Sequence, residues 1–127
     1  VLPKIAPDLR VGNGVKPQFV SHDPAVVAAY KADPLVHDRI SARLARFIAE
    51  AGPQTLALAP QWKVPTLLMY AGDDRLLNAD GSRNFAKLAP KDVVTTQCFD
   101  ALYHEIFNEL DAKPVFAALK QWLDKRF

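Results

Sequence analysis

Two short polar segments in the second half of the chain combine residue types that can move protons. Gly72-Asp73-Asp74-Arg75-Leu76-Leu77 follows the apolar run Thr66-Leu67-Leu68-Met69-Tyr70-Ala71, and Asp100-Ala101-Leu102-Tyr103-His104-Glu105 follows the β-branched run from Val93 to Phe99. In parallel sheets, functional groups gather on loops that leave the carboxyl ends of strands. Two adjacent parallel strands would bring both segments to one edge, so an aspartate and a histidine about 30 positions apart could hydrogen-bond. A carboxylate that fixes a histidine's tautomer and stabilises its imidazolium is two thirds of a Ser-His-Asp system. On spacing alone either Asp73 or Asp74 could be the acid, with the other serving the turn or capping the next helix. The serines are Ser21, Ser41 and Ser82, and none lies in a G-x-S-x-G nucleophile elbow.

The elements that must position these residues follow from periodicity and from turn residues. Thr66 to Ala71, bounded by Pro65 and Gly72, reads as a strand buried on both faces. A helix from about Asp80 to Leu88 is stopped by Pro90, and Val93 to Phe99 reads as a second strand. The last helix starts near Pro114 and places Val115, Phe116, Leu119, Trp122 and Leu123 on one side. Strand, helix, strand, helix implies two parallel strands joined by a right-handed crossover and covered by helices. Such a pair leaves open edges and needs further strands.

The first half reads differently. Five of the ten prolines fall within the first 34 residues, and only helical patterns separated by proline turns are expected there, with no strand. Asp23-Pro24 forms an N-cap and first helical position for a short helix through Lys31. From Val36 to Ala51, Ile40, Leu44, Phe47, Ile48 and Ala51 share one helical face, and Gly52-Pro53 is expected to end that helix. A third short helix spans Thr55 to Ala59.

Composition narrows the function. With 16 basic and 14 acidic side chains in 127 residues the net charge is +2, without the basic surplus that nucleic-acid binding needs. No apolar run approaches the roughly 20 residues of a membrane span, and no secretory signal opens the chain, so a soluble, cytoplasmic protein is expected, free or at a membrane surface. The single cysteine, Cys98, excludes an internal disulfide and reads as a small buried hydrophobe. His22-Asp23 and His37-Asp38 lack metal-ligand spacing and sit at expected helix starts, where capping explains the aspartates, so no metal is expected. The first residue is Val1 rather than methionine, which suggests processing, trimming or a larger parent.

Val64 to Leu76 resembles the acid-bearing strand and turn of monoacylglycerol-lipase-like α/β-hydrolases, the serine hydrolase group that also holds lysophospholipases and serine aminopeptidases. Phe99 to Glu109, with Tyr103-His104-Glu105-Ile106-Phe107-Asn108-Glu109, resembles their histidine loop, and Asp33-Pro34-Leu35-Val36-His37 resembles part of their helical cap. The resemblance places the acid on Asp74 and the histidine on His104, with Glu105 and Glu109 as local hydrogen-bonding or helix-start residues. It implies an α/β fold: a mostly helical cap over residues 1–60, then the C-terminal part of an α/β-hydrolase core over residues 61–127. The implied activity is hydrolysis of a monoacylglycerol or similar lipophilic ester without a cofactor. The nucleophile serine would be supplied by an N-terminal part of the hydrolase, in the same parent protein or in a companion chain.

The cap helices could pack on the core, line a hydrophobic acyl pocket, or do both, with Leu9, Val11, Phe19, Leu35, Leu56 and Leu58 as candidate lining residues. Trp62 and Trp122 are expected to pack. Two other readings stay open at this point. The same half-core could serve a peptidase, dehalogenase or epoxide hydrolase, or it could be a non-catalytic binding module that keeps a hydrolase-like sheet.

Overall fold

A computed structural model of the chain describes residues 5–127. Strands β3 (Thr66–Ala71) and β4 (Val94–Phe99) are parallel, with Thr66 opposite Val94 and Ala71 opposite Phe99. Between them runs helix α3 (Asp80–Leu88), and after them helix α4 (Lys113–Asp124). Side chains alternate across a strand, and the core is divided accordingly. Leu68 and Val94 join Ala59, Ala89, Trp62, Phe85 and Val93 on the α3 side of the sheet. Met69, Ala71 and Phe99 join Leu102, Ile106 and Val115 on the α4 side. Val115 is fully buried at the start of α4, so truncating it to alanine would cost about 2 kcal/mol from two lost methyl groups and the cavity they leave.

Among the described residues, the first half contains two strands where only helices were expected. β1 (Arg10–Gly12) pairs antiparallel with β2 (Arg39–Ser41), with Val11 opposite Ile40. Strands of three residues are too short to show alternation in a sequence. Helix α1 (Pro24–Ala32) lies between them, and Asp23 caps it by accepting the Ala25 N–H at 2.8 Å. Asp38 caps no helix; it precedes β2 and its carboxylate pairs with Arg39.

Helix α2 (Ala42–Leu58) corrects the expected boundaries at both ends. It begins after Ile40 because that residue is taken by β pairing, and Ser41 Oγ accepts the Leu44 N–H at 3.1 Å as the N-cap. It also runs through Gly52-Pro53 to Leu58, absorbing all but the last residue of the separate helix expected at Thr55 to Ala59; Ala59 opens a 3-10 turn, Ala59–Gln61. A proline clashes with the Cβ of the preceding residue in a helix. Gly52 has no Cβ, so the helix continues at the cost of one backbone hydrogen bond. The expected apolar face points largely outward: Leu44, Phe47 and Ile48 are all exposed.

Chain segments far apart in sequence lock the first half to the second. Glu105 N donates to Val20 O at 2.8 Å, and Ser21 Oγ donates to Asn108 O at 2.8 Å. Val20 and Ser21 are both almost completely buried there.

Candidate active site

The parallel register brings the two polar loops together. Gly72 N donates to Phe99 O at 2.8 Å, extending the ladder one residue past β3. A Cβ at Gly72 would lie 2.5 Å from Asp100 Cα and 2.9 Å from its carbonyl oxygen, so the loops touch backbone to backbone and only glycine fits.

Beyond this crossing, Asp74 turns its carboxylate back on its own chain. Oδ1 accepts the N–H groups of Leu76 and Leu77, each at 2.9 Å. That leaves Oδ2 directed at the second loop, where it lies 2.8 Å from His104 Nδ1. Burial pushes the Asp74 carboxyl up, but hydrogen bonds from His104, Leu77 and Leu76 outweigh it and hold the group below its ordinary value. A carboxylate can only accept, so Nδ1 carries the proton and a neutral ring presents Nε2 as an unprotonated base.

Asp73 takes a different part. It neither caps α3 nor reaches His104; its carboxylate pairs with Arg75 at 3.0 Å. The Arg75 guanidinium lies over the rings of Tyr103 and Phe19, 4.8 and 5.6 Å from their centroids, joining the acid turn to the residue before His104. Cys98 is half-buried in β4 rather than part of the core, with its Sγ donating to Asp100 Oδ1 at 3.2 Å, and its partial burial pushes its thiol up, the opposite of an activated nucleophile.

Glu109 is more than a local partner. Its side chain is 2% exposed, and it binds His22, 87 positions away. Oε1 accepts Tyr103 N at 2.7 Å and His22 Nδ1 at 2.9 Å, while Oε2 accepts His22 N at 3.2 Å. His37 is used locally, its Nδ1 accepting the Arg39 N–H at 3.3 Å. Among the described residues, no three His, Cys, Asp or Glu side chains cluster as metal ligands.

An apolar groove of about 650 Å³ opens beside Asp74. It runs between α2, α3 and the sheet, and Pro53, Leu56, Trp62, Leu68, Leu77 and Phe85 form its walls. Of the first-half residues expected to line an acyl pocket, Leu56 is in it. Leu9, Leu35 and Leu58 are exposed, Val11 lies in β1, and Phe19 stands edge-on to Tyr103. Trp62 packs against Phe85 as expected and also lines the groove, while Trp122 lies under the Arg126 guanidinium.

The chain as a whole has known relatives. The family model described as serine aminopeptidase, S33 matches residues 1–111. The chain belongs to this family. A monoacylglycerol lipase of Mycolicibacterium smegmatis is 37% identical over 97% of the chain, and an uncharacterized abhydrolase domain-containing protein of Dictyostelium discoideum is 32% identical over 96%. The crystal structure of the Paleococcus ferrophilus monoacylglycerol lipase superposes on 96% of this S33 hydrolase chain with a TM-score of 0.90 at 32% identity. A soluble variant of the Saccharomyces cerevisiae monoglyceride lipase, solved with a substrate analog, superposes on 99% with a TM-score of 0.84 at 26% identity. The S33 chain is thus a monoacylglycerol-lipase-like α/β-hydrolase in fold. It spans 44% and 13% of the two relatives' lengths and 48% and 47% of the two solved chains, less than half in every case. Among its described residues, no helix is long and apolar enough to cross a membrane.

Proposed function

We propose that this chain carries the acid and the base of a serine ester hydrolase, with Asp74 orienting His104 and the nucleophile lying outside residues 1–127. The observation that carries the reading is the 2.8 Å contact between Asp74 Oδ2 and His104 Nδ1. It leaves Nε2 in the tautomer that takes a proton from a serine and returns it to a leaving alcohol. Two of the chain's three serines are otherwise engaged: Ser21 Oγ donates to Asn108 O and accepts Asp23 N, and Ser41 Oγ caps α2. Ser82 lies in α3 with no G-x-S-x-G around it. Among the described residues β3 and β4 pair only with each other, so a segment bearing the earlier strands has edges to join. The names of the relatives and the apolar groove beside Asp74 favour a monoacylglycerol or similar lipophilic ester as substrate. Residues 1–60 would act as a cap and residues 61–127 as the closing part of the core.

The test is esterase turnover by the intact hydrolase, in which this chain is joined to the serine-bearing segment. Asp74→Asn and His104→Ala should abolish hydrolysis of a short-chain nitrophenyl ester while leaving the fold intact. Retained turnover in either folded variant would overturn the assignment. Labelling of Ser21, Ser41 or Ser82 by a fluorophosphonate would overturn the external nucleophile.

A further inference from the structure

His104 is gripped on both sides by main-chain hydrogen bonds that lead to the same distant segment. Before it, Tyr103 N donates to Glu109 Oε1 at 2.7 Å; after it, Glu105 N donates to Val20 O at 2.8 Å. Glu109 is itself held by residue 22, whose Nδ1–H and main-chain N–H donate to Oε1 and Oε2. The His22 ring stacks on the Tyr103 ring with centroids 3.6 Å apart, so the histidine touches both ends of the Tyr103–Glu109 bond. Nothing in the acid–base pair uses this second histidine–carboxylate contact, yet Glu109 is one of the few buried polar side chains.

A buried carboxylate is retained only where its hydrogen bonds compensate its desolvation. Glu109 has three such donors, and all three belong either to the residue preceding His104 or to His22. Burial pushes its carboxyl up, and the hydrogen bonds from Tyr103 and His22 outweigh that and hold it ionised. The loop carrying His104 has no regular structure between β4 and a single helical turn at Ile106–Asn108. Its own local bonds include Leu102 N to Phe99 O and Asn108 N to Glu105 O, neither of which fixes Tyr103 or His104.

We propose that Glu109 and His22 are positioning residues: by clamping Tyr103 N to the segment Val20–Asp23 they set the backbone from which His104 meets Asp74, and so couple the cap helix α1 to the acid–base pair. Asp23, next to His22, is the N-cap of α1, so a movement of α1 is transmitted through one residue to the clamp. This inference rests on the proposed catalytic role of His104. A displacement of about 1 Å in a catalytic group can cost on the order of a hundredfold in rate, so loss of the clamp should be legible in turnover.

The experiment compares Glu109→Ala, His22→Phe and His22→Asn in the intact hydrolase, reading kcat, KM and the low-field proton resonance of His104 Nδ1–H. Glu109→Ala and His22→Phe should each lower kcat about tenfold, with KM within about twofold, and should weaken or shift that resonance. His22→Asn places an amide donor near the former Nδ1 and should restore most of both signals. Should Glu109→Ala fail to fold, His22→Phe decides, since it keeps the ring on Tyr103 at a site whose side chain is 39% exposed. A merely structural role would lower Tm and leave the kcat of folded enzyme unchanged. Wild-type kcat with an unshifted resonance in folded His22→Phe overturns the proposal. Failure of the catalytic reading shows differently: Asp74→Asn and His104→Ala would then keep their turnover, while the resonance would still report whether the clamp holds His104.

Discussion

Asp74 and His104 meet at 2.8 Å because Ala71 and Phe99 are register partners at the ends of two parallel strands. Asp74 stands three residues beyond its strand and His104 five beyond its own. A shift of one residue in register would move one loop about 3.3 Å along the sheet, enough to break the contact. The pair therefore depends on the ladder as much as on its own hydrogen bond.

The orientation of the Asp74 carboxylate makes its amide variant informative. The oxygen bonded by Leu76 and Leu77 N–H must remain an acceptor. In Asp74→Asn the amide oxygen will take that place and the NH2 group will face His104 Nδ1. The ring must then accept at Nδ1 and carry its proton on Nε2, the wrong tautomer for a base. We expect kcat to fall about 10⁴-fold with little change in Tm. Nitrogen chemical shifts of the imidazole would show the tautomer reversed; a variant that retained the original tautomer would contradict the account.

Gly72 is the contact point between the two loops. In Gly72→Ala the new methyl meets the Asp100 backbone, which cannot swing away as a side chain would. We expect a stability loss of about 1–3 kcal/mol from overpacking. Turnover should fall as well, because the relief must separate the loops that hold Asp74 and His104. Denaturant melts together with kcat would test this, and a fully stable, fully active variant would refute it.

Acid should destabilise the protein through two identified carboxylates. Asp74 and Glu109 are both held below their ordinary values in the folded state. As pH falls into the carboxylate range, around 4, the unfolded chain takes up these protons first. The stability contributed by both groups is fully present above that range and is lost as pH drops through their lower folded values. Thermal melts should therefore show Tm falling with acidity, and Glu109→Gln should flatten that dependence while lowering Tm at neutral pH. An unchanged acid slope in Glu109→Gln would count against it.

The half of the chain that carries the pair was the more legible half. Thr66 to Ala71 and Asp80 to Leu88 are bounded in the structure as their prolines and glycines suggest, and β4 starts one residue after the expected Val93. These elements have long apolar runs or clear stops, which are local signals. Arg10–Gly12 and Arg39–Ser41 have neither, since each becomes a strand only by finding the other. Gly52-Pro53 reads as a stop, yet the missing Cβ at Gly52 lets α2 continue. The role of Glu109 was illegible because its partner His22 lies 87 positions away, a separation no local pattern encodes. Asp73 and Asp74 were equivalent by spacing, and they separate only through the turn in which Asp74 bonds Leu76 and Leu77.

The groove beside Asp74 offers a test of substrate class that is independent of the acid–base pair. Leu56 comes from α2 and faces Leu68 and Phe85 across a space of about 650 Å³, wide enough for an alkyl chain but with few polar partners for a peptide. Each buried methylene contributes about 0.8 kcal/mol. If Leu56→Trp fills the space of roughly three methylenes, long-chain esters lose about 2.4 kcal/mol of binding in the transition state, or about fiftyfold in kcat/KM. A short-chain ester that ends before Leu56 should lose little. The expected result is thus a change in the long-to-short ratio of kcat/KM at unchanged short-chain activity. Equal losses on both substrates would mean that the variant disturbs the reacting groups instead, and no loss on either would place the alkyl chain elsewhere. A peptidase reading makes a different demand, because an amide backbone laid against Leu56, Leu68 and Phe85 would find no polar partner there and would have to reach the groove's Thr55, Thr66, Tyr70, Asn78 or Ser82. Comparing ester and anilide substrates of matched acyl length in wild-type and Leu56→Trp enzyme would therefore separate the two chemistries.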